Sequence, residues 1–279
     1  MHVARTVADF RAAHAALTGT LGLVPTMGYL HEGHRSLMRR ARAECDAVAV
    51  SIFVNPTQFG PNDDFDRYPR DEEHDLAICR EEGVSLVLMP PVEEIYPEGA
   101  TTTVSVGPLS TTLEGAARPG HFDGVTTVVS KLFAIVQPER AYFGQKDAQQ
   151  LMVIRRMTRD LLLPLEVVGC PTVREPDGLA LSSRNVYLSP EERAQALSLS
   201  RGLRRAEAAW ADGVRDAEAL RALVREEIEA QPLARIDYVS LAEQGSLAEC
   251  AGPVTRDALL SLAVRFGKTR LIDNVLLAV

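Results

Sequence analysis

His31 and His34 stand three residues apart in the stretch HEGH (31–34), where a β-rich run gives way to a helical pattern. That spacing puts two imidazoles on one face of a first helical turn or its entry loop. Gly33 between them lets a ligand approach the backbone. A helix mouth presents unpaired N–H groups and a partial positive charge, which makes it a phosphate site. Two imidazoles there can stabilise charge on a phosphate under attack. A simpler arrangement fits the same spacing, with His34 capping a helix and His31 on a surface loop. Metal binding fits less well, because HEGH has neither the fourfold spacing of HExxH nor an obvious third ligand. Just upstream, Pro25, Thr26, Met27 and Gly28 read as a tight strand-to-helix turn, where an α/β sheet places its nucleotide.

Three further stretches carry polar groups at similar junctions. In NPTQ (55–58), Asn55 and Gln58 are uncharged hydrogen-bonding groups suited to the hydroxyls or carboxylate of a small ligand. Plain turn chemistry also accounts for Asn before Pro. In YFGQKDAQQL (142–151), Gly144 ends a strand and Lys146 and Asp147 open a helix. The lysine can reach a phosphate as a point charge, and the aspartate can take ribose hydroxyls or magnesium; an ordinary capped helix is the competing account. In GLALSSRN (178–185), Ser182, Ser183 and Arg184 offer hydroxyl and guanidinium donors to a triphosphate, or form a serine-rich linker. Arg118 and His121 in ARPGHFDG belong to a gate or to polar surface. Asp63, Asp64 and Asp66 lack the EF-hand spacing and closing glutamate, so they read as a solvated acidic turn. The four cysteines share no CxxC spacing and read as buried small hydrophobes.

What must position these groups is an alternating chain. Runs at 21–25, 47–54, 84–90, 140–144 and 165–173 read as strands buried on both faces, and 34–44, 70–82, 124–137 and 146–161 as helices between them. Such alternation means βαβ units and an open, doubly wound parallel sheet of Rossmann-like type, with ligands outside the carboxyl ends of the strands. Residues 101–124 interrupt the pattern as a long polar segment rich in Gly and Pro, which is expected to be functional or to carry its own small element. Beyond about 190 the character shifts to helix over 190–231 and then short strands expected to form a small mixed sheet, hence a second, α+β domain of roughly 100 residues. The 279-residue length allows two domains. A balance of 30 basic against 38 acidic residues argues against a broad nucleic-acid or membrane surface. No apolar stretch approaches a membrane span, and the N-terminal run is unlike a secretory signal, so a cytoplasmic location is expected.

Taken together, VPTMGYLHEGH, SIFVNPTQF, LEGAARPGHFDGV, YFGQKDAQQL, VREPDGLALSSRN and the closing TRLIDN resemble, in order and spacing, the pantoate–β-alanine ligases of the HxGH adenylyltransferase superfamily. HxGH alone indicates only that wider superfamily; six ordered segments are specific. The resemblance implies an enzyme that joins pantoate to β-alanine through a pantoyl adenylate, with ATP as substrate, Mg²⁺ on its phosphates, and AMP and pyrophosphate released. It implies catalytic roles for His34, His31 and Lys146. It implies ATP-binding segments at Met27, Gly28, Tyr29, Leu30, His31, Glu32, Gly33 and His34, at Gly144, Gln145, Lys146 and Asp147, and at Val173, Leu181, Ser182, Ser183 and Arg184. Gln58 and Gln150 match pantoate-binding glutamines, and Asn55 and Arg118 are expected to contact substrate. The implied domains are a nucleotide- and pantoate-binding domain at 1–172 and a smaller lid domain at 173–279, in a homodimer formed through the larger one. Gln145 stands where Glu is common and Thr57 where Met is common. The alternatives are a nucleotidylyltransferase acting on another small acceptor, and a nucleotide-binding module without catalysis.

Overall fold

The structure is a computed structural model that describes residues 1–60, 65 and 68–279. The acidic turn read at Asp63, Asp64 and Asp66 lies outside the described residues. The chain divides into two compact units, one of residues 1–145 and 149–171, the other of residues 146–148 and 172–279.

In the larger unit, β1 (His2–Ala4), β2 (Leu21–Thr26), β3 (Ala47–Ile52), β4 (Leu86–Leu88), β5 (Arg140–Gly144) and β6 (Glu166–Cys170) form one sheet in the order β1-β4-β3-β2-β5-β6. Every pairing in it is parallel. The order reverses direction at β2, so β2 and β5 flank the crevice where a doubly wound sheet takes its ligand.

Helices α1 (Val7–His14), α2 (Glu32–Glu44), α3 (Glu72–Glu81), α6 (His121–Val136) and α7 (Ala148–Asp160) cover the strands. Two one-turn helices, α4 (Val92–Ile95) and α5 (Glu114–Ala117), lie between α3 and α6 in sequence, and the segment 101–124 holds α5 together with a 3-10 turn at Gly107–Ser110. Because strand side chains alternate in direction, successive residues feed opposite faces. Val24, Val48, Val50, Val87 and Tyr142 join Leu37, Met38 and Ala41 of α2 and Ile78 and Cys79 of α3 in one cluster. The next residue, Phe143, instead meets Phe133 of α6 edge to face, with ring centroids 6.4 Å apart. Burial on both faces explains why β3 is buried at every position. Arg35 and Arg39 of α2 both reach the Glu82 carboxylate, just past α3, at 2.8 Å.

The smaller unit packs α8 (Pro190–Ala211) and α9 (Ala217–Glu229) with β7 (Ala234–Glu243), β8 (Ala258–Phe266) and β9 (Thr269–Leu277). Its sheet is antiparallel throughout rather than mixed. The reason is local: β8 and β9 are joined by a two-residue turn at Gly267 and Lys268, with Gly267 at φ 55°, and so short a link cannot feed a parallel neighbour. Ser189 caps α8 in a reciprocal capping box with Glu192, and Pro190 follows at the first helical position. Among the described residues no helix is long and apolar enough to cross a membrane.

Candidate active site

β2 ends at Thr26, whose hydroxyl donates to the Ser51 carbonyl at 2.8 Å and accepts the Gly28 N–H at 3.2 Å. Gly28 (φ 81°) and Tyr29 (φ 52°) then turn the chain through the left-handed region. A Cβ on Gly28 would sit 2.8 Å from an Asp75 carboxylate oxygen, so space as well as φ restricts that position to glycine. Asp75, on α3 and 1% exposed, accepts the N–H groups of Tyr29 at 2.9 Å and Leu30 at 2.7 Å, one on each oxygen. Burial pushes its carboxyl above the usual range, and the Leu30 and Tyr29 donors pull it back.

The histidines follow as the cap of α2. The N–H of Gly33 donates to Nδ1 of His31 at 3.1 Å, and the N–H of His31 donates to Nδ1 of His34 at 3.2 Å. Their ring centroids are 4.2 Å apart. Since Nδ1 accepts a hydrogen bond in both rings, each neutral imidazole carries its proton on Nε2 and acts there as a donor. Capping and phosphate chemistry are therefore not rival accounts of HEGH. The cap is what fixes the tautomer and direction of both rings.

A second turn meets the first. Pro56–Gln58 is a 3-10 turn capped by Asn55, which is 1% exposed. The Asn55 amide donates to Gln58 Oε1 (3.1 Å) and to the Gly124 carbonyl (3.0 Å), while its oxygen accepts from Tyr96 Oη (2.8 Å) and Thr57 Oγ1 (3.0 Å). Both amide donors of Asn55 are used inside the protein, so Asn55 orients Gln58, the neighbouring candidate for substrate contact. The Gln58 amide nitrogen lies 3.2 Å from the Met27 sulfur, a weak acceptor that a substrate oxygen can displace. Arg118 donates to the Gln58 carbonyl at 3.4 Å and His121 Nδ1 to the same oxygen at 2.9 Å. The expected substrate contact Arg118 is thus a neighbour of the pantoate candidate's backbone. Gly124 on α6 lets the helix touch this turn, because a Cβ there would lie 2.4 Å from the Thr57 carbonyl oxygen.

Gln150 is half-buried on α7, and its neighbour Gln149 is buried. Sequence reasoning passed over Gln149, whose amide donates to the carbonyls of Leu109 (2.9 Å) and Thr112 (2.8 Å) and whose oxygen accepts the Glu114 N–H (3.0 Å). It ties the 101–124 segment to α7. Nothing in QQ tells which glutamine faces inward. Gly144 is the last residue of β5, paired with Cys170, and a Cβ there would meet open space. Gln145 begins the 3-10 turn Gln145–Asp147.

In the smaller unit, Lys146 is largely covered, with its Nζ 4.0 Å from the Asp147 carboxylate, and the Asn274 amide of β9 donates to the Lys146 carbonyl at 2.9 Å. The adjacent Asp273, 2% exposed, takes the Arg174 guanidinium on both oxygens at 2.7 and 3.0 Å. Residues 173–181 fold back on themselves, Leu181 donating to the Val173 carbonyl at 2.9 Å. Ser182 then caps the turn Ser183–Tyr187, accepting the Arg184 N–H at 3.3 Å, and Arg184 is exposed. The closing TRLIDN thus has a physical role: Asp273 and Asn274 anchor the two phosphate-candidate segments of this unit. Among the described residues no group of three His, Cys, Asp or Glu could hold a metal ion.

A family model described as pantoate-beta-alanine ligase matches residues 2–276. The chain belongs to the pantoate–β-alanine ligase family. It is 63% identical over 277 residues to a pantothenate synthetase from Roseiflexus sp. (strain RS-1), covering 99% of each chain. The crystal structure of pantothenate synthetase from Thermus thermophilus superposes with a TM-score of 0.93 at 52% identity, covering 99% of both chains. A pantoate–β-alanine ligase from Francisella tularensis, complexed with beta-gamma ATP and β-alanine, superposes with a TM-score of 0.79 at 35% identity, covering 99% of this chain and 97% of that one. The fold expected, a doubly wound parallel Rossmann-like sheet with a smaller α+β unit, is the one observed, with β1 as a sixth strand at the sheet edge.

Proposed function

We propose that this chain condenses pantoate with β-alanine at the expense of ATP, through a pantoyl adenylate. The observation that carries it is the pair of imidazoles locked by the α2 cap, each with Nδ1 committed to a backbone N–H and its donor on Nε2, in a chain that matches the family over residues 2–276. A pantoate carboxylate oxygen attacks the α-phosphorus of ATP and pyrophosphate leaves. The β-alanine amine then attacks the acyl carbon, loses a proton to solvent, and expels AMP carrying that carboxylate oxygen. His31 and His34 donate to the α-phosphate as its charge builds, and Lys146 offsets charge as it shifts toward pyrophosphate. Ser182, Ser183 and Arg184 hold the leaving group, with main-chain contacts to the nucleotide along Met27–His34, Gly144–Asp147, Val173 and Leu181.

Asp147, exposed beside Lys146, is the carboxylate that would hold a Mg²⁺ brought in on the nucleotide, and the ion would supply charge neutralisation on the phosphates. The nucleotidylyltransferase alternative does not account for Gln58 and Gln150, amides suited to a small hydroxy acid. The larger unit binds pantoate in this reading, and it also supplies the homodimer contact, where Leu161 and Leu162 at the end of α7 are 49% and 87% exposed.

With ¹⁸O in the pantoate carboxylate, label appears in AMP and pyrophosphate is the other product. Label in inorganic phosphate, or release of ADP, refutes the route. Gln58→Ala raises the pantoate KM by roughly three- to tenfold, the loss expected for one neutral hydrogen bond, and leaves the ATP KM unchanged. A titration that loses ATP and keeps pantoate reverses the role given to Gln58.

A further inference from the structure

Two aspartates are buried among the described residues, Asp75 and Asp273. Asp273 is matched by the Arg174 guanidinium. Both oxygens of Asp75 are taken by main-chain N–H groups, those of Tyr29 and Leu30. Successive N–H groups displayed by a turn through the left-handed region form an anion-binding concavity. At Gly28 and Tyr29 the anion is supplied from within the protein, by a residue 45 or 46 positions away in sequence. A buried carboxylate is costly where an apolar side chain would pack as well, so its presence here calls for a role.

The geometry points to Asp75 as a positioning residue for adenylyl transfer, one that locks the 28–30 turn and through it the His31–His34 pair. The path is short and continuous. Asp75 Oδ1 holds the Leu30 N–H, Leu30 leads directly to His31, and the His31 N–H holds Nδ1 of His34. Thr26 Oγ1 on the Gly28 N–H and His74 on the Leu30 carbonyl hold the flanks of the turn; loss of the Asp75 carboxylate frees the N–H of Tyr29 itself and favours its relaxation from φ 52°, a region that non-glycine residues avoid. Relaxation there rotates the peptide that delivers the His31 N–H, and the imidazoles lose their common aim. The amides of Tyr29 and Leu30 are committed to this carboxylate, so within Met27–His34 a nucleotide meets the imidazoles, the mouth of α2 and main-chain groups other than these two N–H.

This inference rests on the proposed function, and a double-mutant cycle separates the two. Asp75→Asn puts an amide NH₂ against a backbone N–H and breaks one of the two bonds. It lowers kcat for pantoate-dependent pyrophosphate exchange by at least about tenfold, with the pantoate KM within roughly twofold, because interacting residues share their effect. In a His34→Ala background the same change costs less than about threefold, since the group it aims is gone. An equal loss in both backgrounds, or a change confined to the pantoate KM, overturns the role of Asp75 alone. Near-normal exchange in His34→Ala overturns the histidine assignment and this inference together. Asp75→Ser is carried in parallel, and if neither variant yields folded protein, Asp75 is a folding residue and the inference fails.

Discussion

His34→Ala lowers pantoate-dependent pyrophosphate exchange by about 10²–10³-fold, the cost of removing one preorganised donor to developing charge, while circular dichroism and thermal midpoint stay near wild type. The size of the effect follows from the cap. Because the His31 N–H already occupies Nδ1 of His34, Nε2–H is aimed before ATP arrives, and no reorganisation is needed as charge builds on the α-phosphate. Fold survives because the ring is half-buried and outside the α2 core residues Leu37, Met38 and Ala41. What α2 loses is one half of its capping box, a matter of about 1 kcal/mol. Exchange within a few-fold of wild type removes His34 from the chemistry. Gln58→Ala is the contrasting control, because it moves pantoate affinity and leaves the nucleotide step in place.

Arg174→Ala destabilises the smaller unit by about 3 kcal/mol, near the lower end of the cost of leaving a buried carboxylate unpaired. Asp273 is 2% exposed and both of its oxygens are given to that guanidinium, which is itself partly solvated. The readout is built in. The one tryptophan, Trp210, is 7% exposed in the smaller unit's core, with its indole N–H on the Ala278 carbonyl at 3.0 Å, so its fluorescence in urea follows this unit specifically. The double change Arg174→Met with Asp273→Leu recovers much of the loss, because it removes the orphaned charge instead of creating one. A midpoint unchanged in Arg174→Ala shows that Asp273 finds water or another donor.

The strands of the central sheet were legible because burial on both faces leaves near-continuous Val, Ile and Leu runs, as in AVAVSIFV, while HEGH stood out as two histidines beside a glycine at a strand end without deciding between capping and phosphate chemistry. β1 was not. Three residues, HVA, cannot display a period, and they are a strand only because Leu86–Leu88 offers an edge to pair with. Asp75 was equally silent, since nothing local to DEEHDL says that its acid reaches the turn at Tyr29. Asn55 was seen as a polar group near a strand end, but how its short side chain spends its hydrogen bonds depends on Gly124 and Tyr96, from elements far along the chain; Arg118 was seen as a gate or surface residue, and its place beside the Gln58 carbonyl is tertiary. The antiparallel order of the second sheet was hidden for a related reason: strand direction follows from connection length, and the two-residue link at Gly267 and Lys268 declares a hairpin only once the ends of both strands are fixed.

The strand order also carries a schedule. β2 and β3 can pair as soon as about fifty residues have left the ribosome, and the sheet then grows outward in both directions. β1 is made first, yet its partner β4 begins 84 positions later, at Leu86 opposite His2. Until then β1 lacks its partner edge, and closing so long a loop is slow relative to the local pairing of β2 with β3. β1 therefore waits for β4 and docks after β2 and β3 have had the chance to pair beneath the histidine-bearing turn.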